Sequence, residues 1–394
     1  MTNINQQTIM KTQFAHNLLR TFSSLSIVAL LAFGTGCGGD GKSLDSDVPP
    51  NTPKPAASDG NETTEGNGTA PTAWWLENEA EEVDDKDKLR IAFVTNMIAD
   101  FWNIAKAGCR DAEKELGVKV EVKMPPEATV IKQKQIVEDL VSSGIQAIAI
   151  SPLDADNQVQ WLDGIAAKVP LITHDSDAPG SKRLVYIGMD NYKAGRMCGE
   201  LVKKALPEGG AVMLFIGRLE QDNSKHRRQG VIDELFGRDR PETLDQLAYD
   251  PHEGVLDTGK YKILGTMTDQ GKTDVAKQKA ADSINAYPEM KAMVGLFEYN
   301  PPACYQALKQ AGKLGEIKLI GFDENDVTLQ GIKDGYVTGT IVQNPYEYGY
   351  QSVKVLKDIL ESKKTEAYID IPPRKIVREN VDEYWDDLRV KKEG

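Results

Sequence analysis

The chain has 394 residues, with 60 acidic and 47 basic side chains and a formal net charge of −13. Residues 38–88 hold 13 acids and 4 bases, a net charge of −9, and residues 1–37 add two positive charges. A net charge of about −6 is therefore left for residues 89–394. A mildly acidic globule without a basic stripe argues against nucleic-acid binding.

The first 37 residues have the layout of an export signal. Lys11 and Arg20 precede an apolar run, "FSSLSIVALLAF", that is shorter than the roughly 20 residues needed to span a bilayer. Cys37 then follows small residues in "FGTGCGGDGKS", which resembles a bacterial lipobox, although Gly34 stands where that motif usually has Leu. We expect residues 1–37 to be a signal peptide and Cys37 to become lipidated; the alternative is an ordinary leader with an incidental Cys.

Residues 38–88 are rich in Gly, Ser, Thr, Pro, Asn and acids and have few apolar side chains. This composition predicts a disordered acidic tether. A flexible chain of that length has an end-to-end distance of roughly 40 Å, which would hold a globular domain clear of a membrane surface.

Strand and helix patterns alternate from residue 89 onward. In the first half, strands are predicted at "RIAFVT" (90–95), "VKVEVK", "AIAIS" (147–151) and "LITH". Helical periodicity separates them, as in "FWNIAKAGCRDAEKEL" (101–116) and residues 131–143. Repeated βα alternation predicts a parallel sheet with helices on both faces.

The same alternation starts again near residue 184 with "LVYIG" and the helix "NYKAGRMCGELVKKAL". It continues through "AVMLFIG" (211–217), "SKHRRQGVIDELF", "YKILGT" (261–266), a helix over 273–286, "AMVGLF" (292–297), a helix over 302–312 and "KLIGF". About 300 residues exceed a typical single core. The predicted fold class is therefore α/β, with two doubly wound parallel-sheet lobes.

The segments that follow the predicted strands are unusually polar. Examples are "TNMIADFW" (95–102), "HDSD" (174–177), "GRLEQDNSKHRR" (217–228), "FEYNPP" (297–302) and "GFDEND" (321–326). Ligands of parallel sheets bind beyond the carboxyl ends of the strands. Carboxylates and amides take hydroxyl hydrogen bonds and aromatic rings cover C–H faces, so this mixture suits a polyol.

From about residue 88 onward, several motifs occur in order at matching spacing: "RIAFVTN" with "DFW", "PLITHDSD", "YIGMDNYKAGRMCGE", "NSKHRRQG", "EYNPPACYQAL", "LIGFDEND", "GTIVQNPYEYG" and "IVRENVDEYW". The sequence thereby resembles the periplasmic sugar-binding proteins of the ribose-binding type, which share their fold with the effector domains of sugar-responsive repressors. The resemblance implies a type I periplasmic binding protein fold with a multi-crossing hinge near Asp190, Gln343 and Pro372. It implies a first lobe of residues 89–190 plus 344–372 and a second of 191–343 plus 373–394.

The resemblance also implies ligand-binding residues. They are two aromatic side chains, two carboxylates, an arginine, an amide and a glutamine near the hinge: Phe101, Trp102, Asp175, Asp323, Arg227, Asn300 and Gln343. Ser176 stands where the ribose-specific pattern has a second arginine, so the pocket need not prefer ribose.

Structural readings of the same residues remain open. Phe101 and Trp102 could be plain core, Asp175 a turn residue or cap, and Asn300 before Pro301 a helix N-cap. Arg227 and Arg228 are adjacent on a predicted helix; we expect Arg227 to face the cleft and Arg228 the solvent.

Catalysis finds little support in the sequence. His174 and Asp175 are the best candidates, but neighbours on a strand point to opposite faces. Cys109, Cys198 and Cys304 fall in predicted helices without metal-ligand spacing and are expected to be buried small side chains. We expect no enzymatic activity, no cofactor and no metal.

These observations predict an exported, lipid-anchored, monomeric solute-binding protein of the periplasm or cell envelope. It would capture a monosaccharide or related polyol between two lobes and deliver it to the membrane permease of an ABC importer. The alternative is a sugar or autoinducer sensor subunit that signals to a membrane receptor. A transcription regulator would need a DNA-binding segment where the leader and tether lie, and an exported sugar enzyme would have to turn its ligand over.

Overall fold

The computed structural model describes residues 88–393, which fall within one compact unit. The predicted signal peptide, Cys37 and all but the last residue of the predicted tether lie outside the described residues. Within the described part, no helix combines the length and apolarity that a membrane crossing requires.

The described chain alternates strands and helices. The strands are β1 (Arg90–Val94), β2 (Lys119–Lys123), β3 (Ala147–Ile150), β4 (Leu171–His174), β5 (Tyr186–Gly188), β6 (Gly210–Ile216), β7 (Leu256–Asp257), β8 (Tyr261–Thr268), β9 (Met290–Gly295), β10 (Lys318–Phe322), β11 (Val337–Val342), β12 (Tyr368–Asp370) and β13 (Arg374–Ile376). The helices are α1 (Asp100–Leu116), α2 (Val130–Ser142), α3 (Val159–Ala166), α4 (Asn191–Ala205), α5 (Asp222–Phe236), α6 (Thr273–Ala286), α7 (Asn300–Gln310), α8 (Asp326–Asp334), α9 (Pro345–Leu360) and α10 (Val381–Glu393).

Two separate sheets organise these elements. The first has six parallel strands in the order β12-β5-β4-β3-β1-β2. The second has seven strands in the order β13-β11-β10-β9-β6-β8-β7, of which only the edge strands β13 and β7 pair antiparallel. Each sheet defines one lobe.

Both faces of each sheet are buried under helices. On β1, Phe93 and Val94 enter different hydrophobic clusters, one on each side of the first sheet. On β6, Val212 and Met213 do the same in the second lobe. Because side chains alternate along a strand, two-sided burial requires nearly continuous apolar strands. The predicted α/β fold class of two doubly wound lobes is confirmed.

The chain crosses between the lobes three times. It leaves the first sheet after β5, returns after β11 and leaves again between β12 and β13. Helix α9 packs on α1, where Gly349 meets the Ala105 carbonyl so closely that a Cβ would lie 2.0 Å from its oxygen. The predicted multi-crossing hinge is confirmed. We propose lobe boundaries at these crossings, giving 89–190 plus 344–372 and 191–343 plus 373–394.

The long segment from Gly237 to Lys260 is held against α5 by Arg228. The Arg228 guanidinium donates to the carbonyl oxygens of Asp250 (2.9 Å) and Pro251 (2.5 Å), and its Nε donates to Thr266. Arg228 is only 3% exposed, so the prediction that it faces solvent is wrong. The guanidinium fork can satisfy several acceptors at once, and here it satisfies two loop carbonyls and the Thr266 hydroxyl.

Small differences from the predicted elements concern helix and strand ends. The helix expected over 302–312 spans Asn300–Gln310 instead. It begins earlier because Pro301 and Pro302 fit the first turn, where backbone N–H groups have no helical partner.

Cys109, Cys198 and Cys304 are free and buried, and burial raises the pKa of each thiol.

Candidate functional site

A cavity lies between the two lobes. Its walls come from strand ends of both sheets and from the first turns of α1 and α5: Asn96, Met97, Ala99, Phe101, Trp102, Asp175, Asn223, Arg227, Phe297, Glu298, Tyr299, Asp323 and Gln343. Six of the seven predicted ligand residues therefore line one space. The seventh, Asn300, does not.

Asp175 follows β4 directly and adopts a left-handed backbone with φ of 58°. Its N–H donates to the Ile187 carbonyl (3.0 Å), and its own carbonyl accepts from the Tyr186 hydroxyl (2.9 Å). Asp is one of the few side chains that tolerate this conformation. The turn is thus fixed by the neighbouring strand and aims the carboxylate into the cavity.

Asp323 repeats this arrangement in the second lobe, after β10. Its φ is 62°, its N–H donates to the Ile341 carbonyl (2.8 Å), and its carbonyl accepts from the Thr340 hydroxyl (2.8 Å). Each lobe therefore presents one carboxylate from the same kind of turn.

The Asp175 carboxylate joins the two lobes. One oxygen accepts from Ser151 Oγ (2.9 Å) in the first lobe, and the other accepts from Asn223 Nδ2 (3.3 Å) in the second. Arg227 Nη2 of the second lobe lies 3.6 Å from the same oxygen as Asn223. Burial raises the pKa of Asp175, and the Arg227 charge and these hydrogen bonds offset only part of that effect.

Arg227 is buried and held in one orientation. Its Nε donates to Asn191 Oδ1 (2.8 Å) and its Nη1 to the Leu296 carbonyl (3.2 Å). The guanidinium lies over the Phe322 ring, 4.2 Å from the centroid. Its Nη2 is buried, lies 3.6 Å from Asp175 Oδ1 and has no hydrogen-bond partner, so it keeps donors to spare.

Phe101 and Trp102 stand in the first turn of α1 and meet edge to face at 4.8 Å. The Trp102 indole donates to Asn96 Oδ1 (3.0 Å), and Asn96 Nδ2 donates to Ser151 Oγ (3.3 Å). Because Ser151 in turn donates to Asp175, the aromatic wall and the carboxylate are linked by one hydrogen-bond chain. Both aromatic side chains line the cavity and also belong to the first lobe's core.

His174 does not join Asp175 in the cavity. Its ring stacks on Phe93 at 4.0 Å and meets Trp102 edge to face at 5.4 Å, while Nε2 lies 3.2 Å from the Val94 carbonyl. Burial lowers the pKa of His174 to about 3, so the ring is neutral at ordinary pH. Its contacts support the aromatic wall from behind and give Asp175 no base partner.

Gln343 connects Asp323 with the hinge. Gln343 Nε2 donates to Asp323 Oδ1 (2.8 Å), and its Oε1 accepts from the Tyr348 hydroxyl (3.0 Å) on α9 of the first lobe. Burial raises the pKa of Asp323 to about 7, with Asp175 and Glu298 adding to the rise and Arg227 opposing it.

Asn300 supports the site from outside the cavity. It is fully buried at the start of α7, where its Nδ2 donates to Asp269 Oδ2 (2.8 Å) and its Oδ1 accepts from the Phe297 N–H (3.1 Å). The preceding residue, Tyr299, lines the cavity instead, and its hydroxyl donates to Asp269 (2.6 Å). The sequence pattern identified the loop but not the residue that faces inward.

Sequence reasoning also did not single out Asn96, Met97, Asn223, Glu298 or Tyr299, which line the same cavity. All five lie in the polar segments after predicted strands, so position along the chain was the available signal. Among the described residues, no group of three or more His, Cys, Asp or Glu side chains could hold a metal ion.

Comparison with known proteins gives a consistent result. A profile of the periplasmic binding protein domain family matches residues 91–364. The chain is 23% identical over 297 residues to the ribose import binding protein of Salmonella typhimurium, covering 75% of this chain and 92% of that protein. It is 26% identical over 280 residues to the ribose import binding protein of Bacillus subtilis, covering 71% and 84%.

Solved structures share the fold. The solute-binding protein of an ABC transporter from Burkholderia graminis, solved in complex with D-arabinose, superposes with a TM-score of 0.67 at 25% identity. That match covers 76% of this chain and 98% of the other.

Proposed function

Because the chain belongs to the periplasmic binding protein family, we propose that it captures a monosaccharide or related polyol between its two lobes and delivers it to an ABC importer. The observation that carries this proposal is the cavity whose walls come from both lobes. The names of the relatives, ribose import binding proteins and a solute-binding protein with D-arabinose, support the same ligand class.

Each predicted ligand residue has a role in this proposal. The carboxylates of Asp175 and Asp323 accept hydrogen bonds from ligand hydroxyls, and the spare Nη2 of Arg227 donates to ligand oxygens. Phe101 and Trp102 cover the apolar C–H face of the ring. Gln343 holds Asp323 in place.

Asn300 has an indirect role in the proposal. It fixes the loop that carries Phe297 and Tyr299 into the cavity and is not itself a ligand contact.

Ligand binding would be coupled to the closed arrangement of the lobes. Asp175 belongs to the first lobe, whereas its partners Asn223 and Arg227 belong to the second. A ligand that contacts both sides favours the closed state only through this differential contact, and occupancy thereby becomes a shape that a partner can bind.

Ligand-induced thermal shifts test the binding proposal. The chain without residues 1–37 is heated with pentoses, hexoses, alditols and furanose autoinducers, and each hit is then recovered for mass analysis. We expect a stabilising ligand that is recovered unchanged, and we expect the shift to disappear in Asp175→Ala and Arg227→Ala because each removes a contact between lobes. The exposed Arg110→Ala serves as a control and should keep the full shift. Failure of every sugar and polyol, including their amino-substituted forms, or a chemically altered ligand, would exclude this function.

The partner is tested by uptake. Deleting the gene should abolish uptake of the radiolabelled ligand by intact cells if the closed form docks on a permease. Unchanged uptake together with a lost transcriptional response to the ligand would favour the sensor alternative instead.

Lipid anchoring at Cys37 stays a prediction, which labelling of wild-type and Cys37→Ser chains with palmitate would test.

A further inference from the structure

The cavity between the lobes has more negative than positive side chains. Three of its lining residues are acids, Asp175, Glu298 and Asp323, and each is no more than 7% exposed. Among the described residues that line it, Arg227 is the one cation. Ionised, these groups give the site an excess of two negative charges, which is costly away from water.

The excess charge is not spread evenly. Asp175 has the nearby Arg227 guanidinium (3.6 Å) and hydrogen bonds from Ser151 and Asn223. A cation and two hydrogen-bond donors compensate this buried carboxylate in part. Hydrogen bonds from ligand hydroxyls would add to that compensation.

The other end has weaker compensation. The Arg227 charge offsets part of the effect of burial on the pKa of Asp323, and the Lys392 charge does the same for Glu298. Asp323 accepts a side-chain hydrogen bond only from the amide of Gln343, and Glu298 accepts one only from the amide of Asn325 (2.5 Å). Amide donors carry no net charge. Glu324 is 1% exposed, and burial raises its pKa, with the charges of Asp323 and Glu298 adding to the rise and Lys392 opposing it, so it is a further acid near this end of the cavity.

Two kinds of occupant could balance this end of the cavity. Protons on one or two of the carboxyl groups would neutralise it and would suit a neutral sugar. An ammonium group would neutralise it while donating short, charge-assisted hydrogen bonds to both carboxylates. The second solution uses both acids as acceptors, the role in which Gln343 and Asn325 already orient them.

We propose that the ligand is an amino-substituted polyol whose ammonium group lies between Glu298 and Asp323 while its hydroxyls contact Asp175 and Arg227. This inference rests on the proposed function and narrows its ligand class. Phe101 and Trp102 would cover the same C–H face in an amino sugar as in a neutral one.

Matched ligand series test the charge requirement. Titration calorimetry at neutral pH on the chain without residues 1–37 would compare the amino, hydroxyl and N-acetylated forms of glucose, galactose and mannose. A second pair would compare 1-amino-1-deoxy-D-sorbitol with sorbitol. We expect one amine to bind at least about tenfold more tightly than its neutral counterpart, because a close charge pair in a buried site has a large coupling energy. N-acetylation keeps the ring and removes the charge, so it should abolish the advantage.

Variants locate the ammonium group. Glu298→Gln and Asp323→Asn should each weaken binding of the amine by about tenfold or more while changing the neutral counterpart much less. The exposed Glu289→Gln is the matched control and should change neither. Thermal unfolding of each variant checks that it is folded, and the two site variants test the same group independently.

The outcomes separate the two proposals. Neutral sugars that bind as tightly as their amines, with no selective effect of Glu298→Gln or Asp323→Asn, would overturn the amino-polyol inference and leave the sugar-binding function standing. If no amine and no neutral sugar binds, both proposals fail.

Discussion

At the scale of single residues, burial of Asp323 makes the stability of the fold depend on pH. Its pKa rises from 3.8 to about 7 because burial disfavours the charged form. A carboxyl group with a higher pKa in the folded chain binds its proton more tightly when folded. Its contribution therefore favours folding at low pH and is lost as the pH rises from about 4 towards 7.

Asp323→Asn removes this pH-dependent cost. Without ligand, we expect the melting temperature of the variant to gain on that of the wild type as the pH rises from 5 to 8, with most of the gain below about 7. Differential scanning calorimetry across this range measures the difference. Exposed Asp386→Asn is the control and should give a flat difference. A flat difference for Asp323→Asn would mean that the carboxylate is compensated in the empty protein.

The direction of a side chain was predictable where its position at the end of a strand decides it. Asp175 and Asp323 come immediately after buried strands, and Arg227 lies in the helix that follows a polar strand end, so all three line the cavity as expected. The direction of the Asn300 side chain does not follow from chain position, because successive side chains at a helix start are rotated by about 100°. Tyr299, one residue earlier, faces inward instead.

At the scale of elements, the placement of Arg227 depends on how closely α4 and α5 approach. Gly195 on α4 meets the backbone of Arg227, and a Cβ at this position would lie 2.1 Å from the Arg227 carbonyl oxygen. No real contact is that short, so any other residue must push the helices apart. The sequence shows the helical period of both segments but not that this glycine sits at their crossing.

Gly195→Ala should therefore move Arg227 away from Asp175. We expect a loss of several degrees in melting temperature and at least about tenfold weaker ligand binding, because overpacking costs about 1–3 kcal/mol and the site is displaced as well. Gly164→Ala on α3 is the matched control, since a Cβ added there would meet no atom within 4 Å. It should keep its affinity and unfold at the same or a slightly higher temperature. Equal behaviour of the two variants would contradict the close-approach argument.

The segment at 237–260 shows a second limit of element-level prediction. Its length was evident, but its anchoring depends on Arg228, which points away from the cavity and donates to loop carbonyls. The side chains of adjacent arginines on a helix must point in different directions. The sequence pattern could not show whether the second arginine is exposed to solvent or buried against the 237–260 segment.

At the scale of the whole molecule, the predicted family and two-lobed fold are confirmed, since alternating periodicity repeated over about 300 residues constrains the architecture strongly. What the sequence could not predict is the set of contacts that close the cleft. Arg218 of the second lobe donates to the Ala128 carbonyl (2.9 Å) of the first, and Lys225 pairs with Asp156 (2.6 Å). Such contacts join residues far apart in the chain.

Closure can be measured across the rim beside Arg218. Cysteines replacing the exposed Glu127 and Lys272, one on each lobe, carry donor and acceptor dyes. We expect energy transfer to increase when ligand binds, and Asp175→Ala to abolish the increase because it removes the contact with Arg227 and Asn223. A pair within the first lobe, Lys114→Cys with Glu127→Cys, should not respond. Ligand binding without a change in transfer across the rim would rule out closure as the signal.

Asp175 and Asp323 end corresponding strands with the same backbone turn, so each lobe contributes one copy of a common half-site. Two identical half-sites would accept either end of an unsymmetrical ligand equally well and could not fix the orientation of that ligand. Orientation must then come from side chains that differ between the halves, with Trp102 on one side and Arg227 on the other. Substitutions at these positions would change which end of the ligand lies in which lobe while the duplicated framework stays intact.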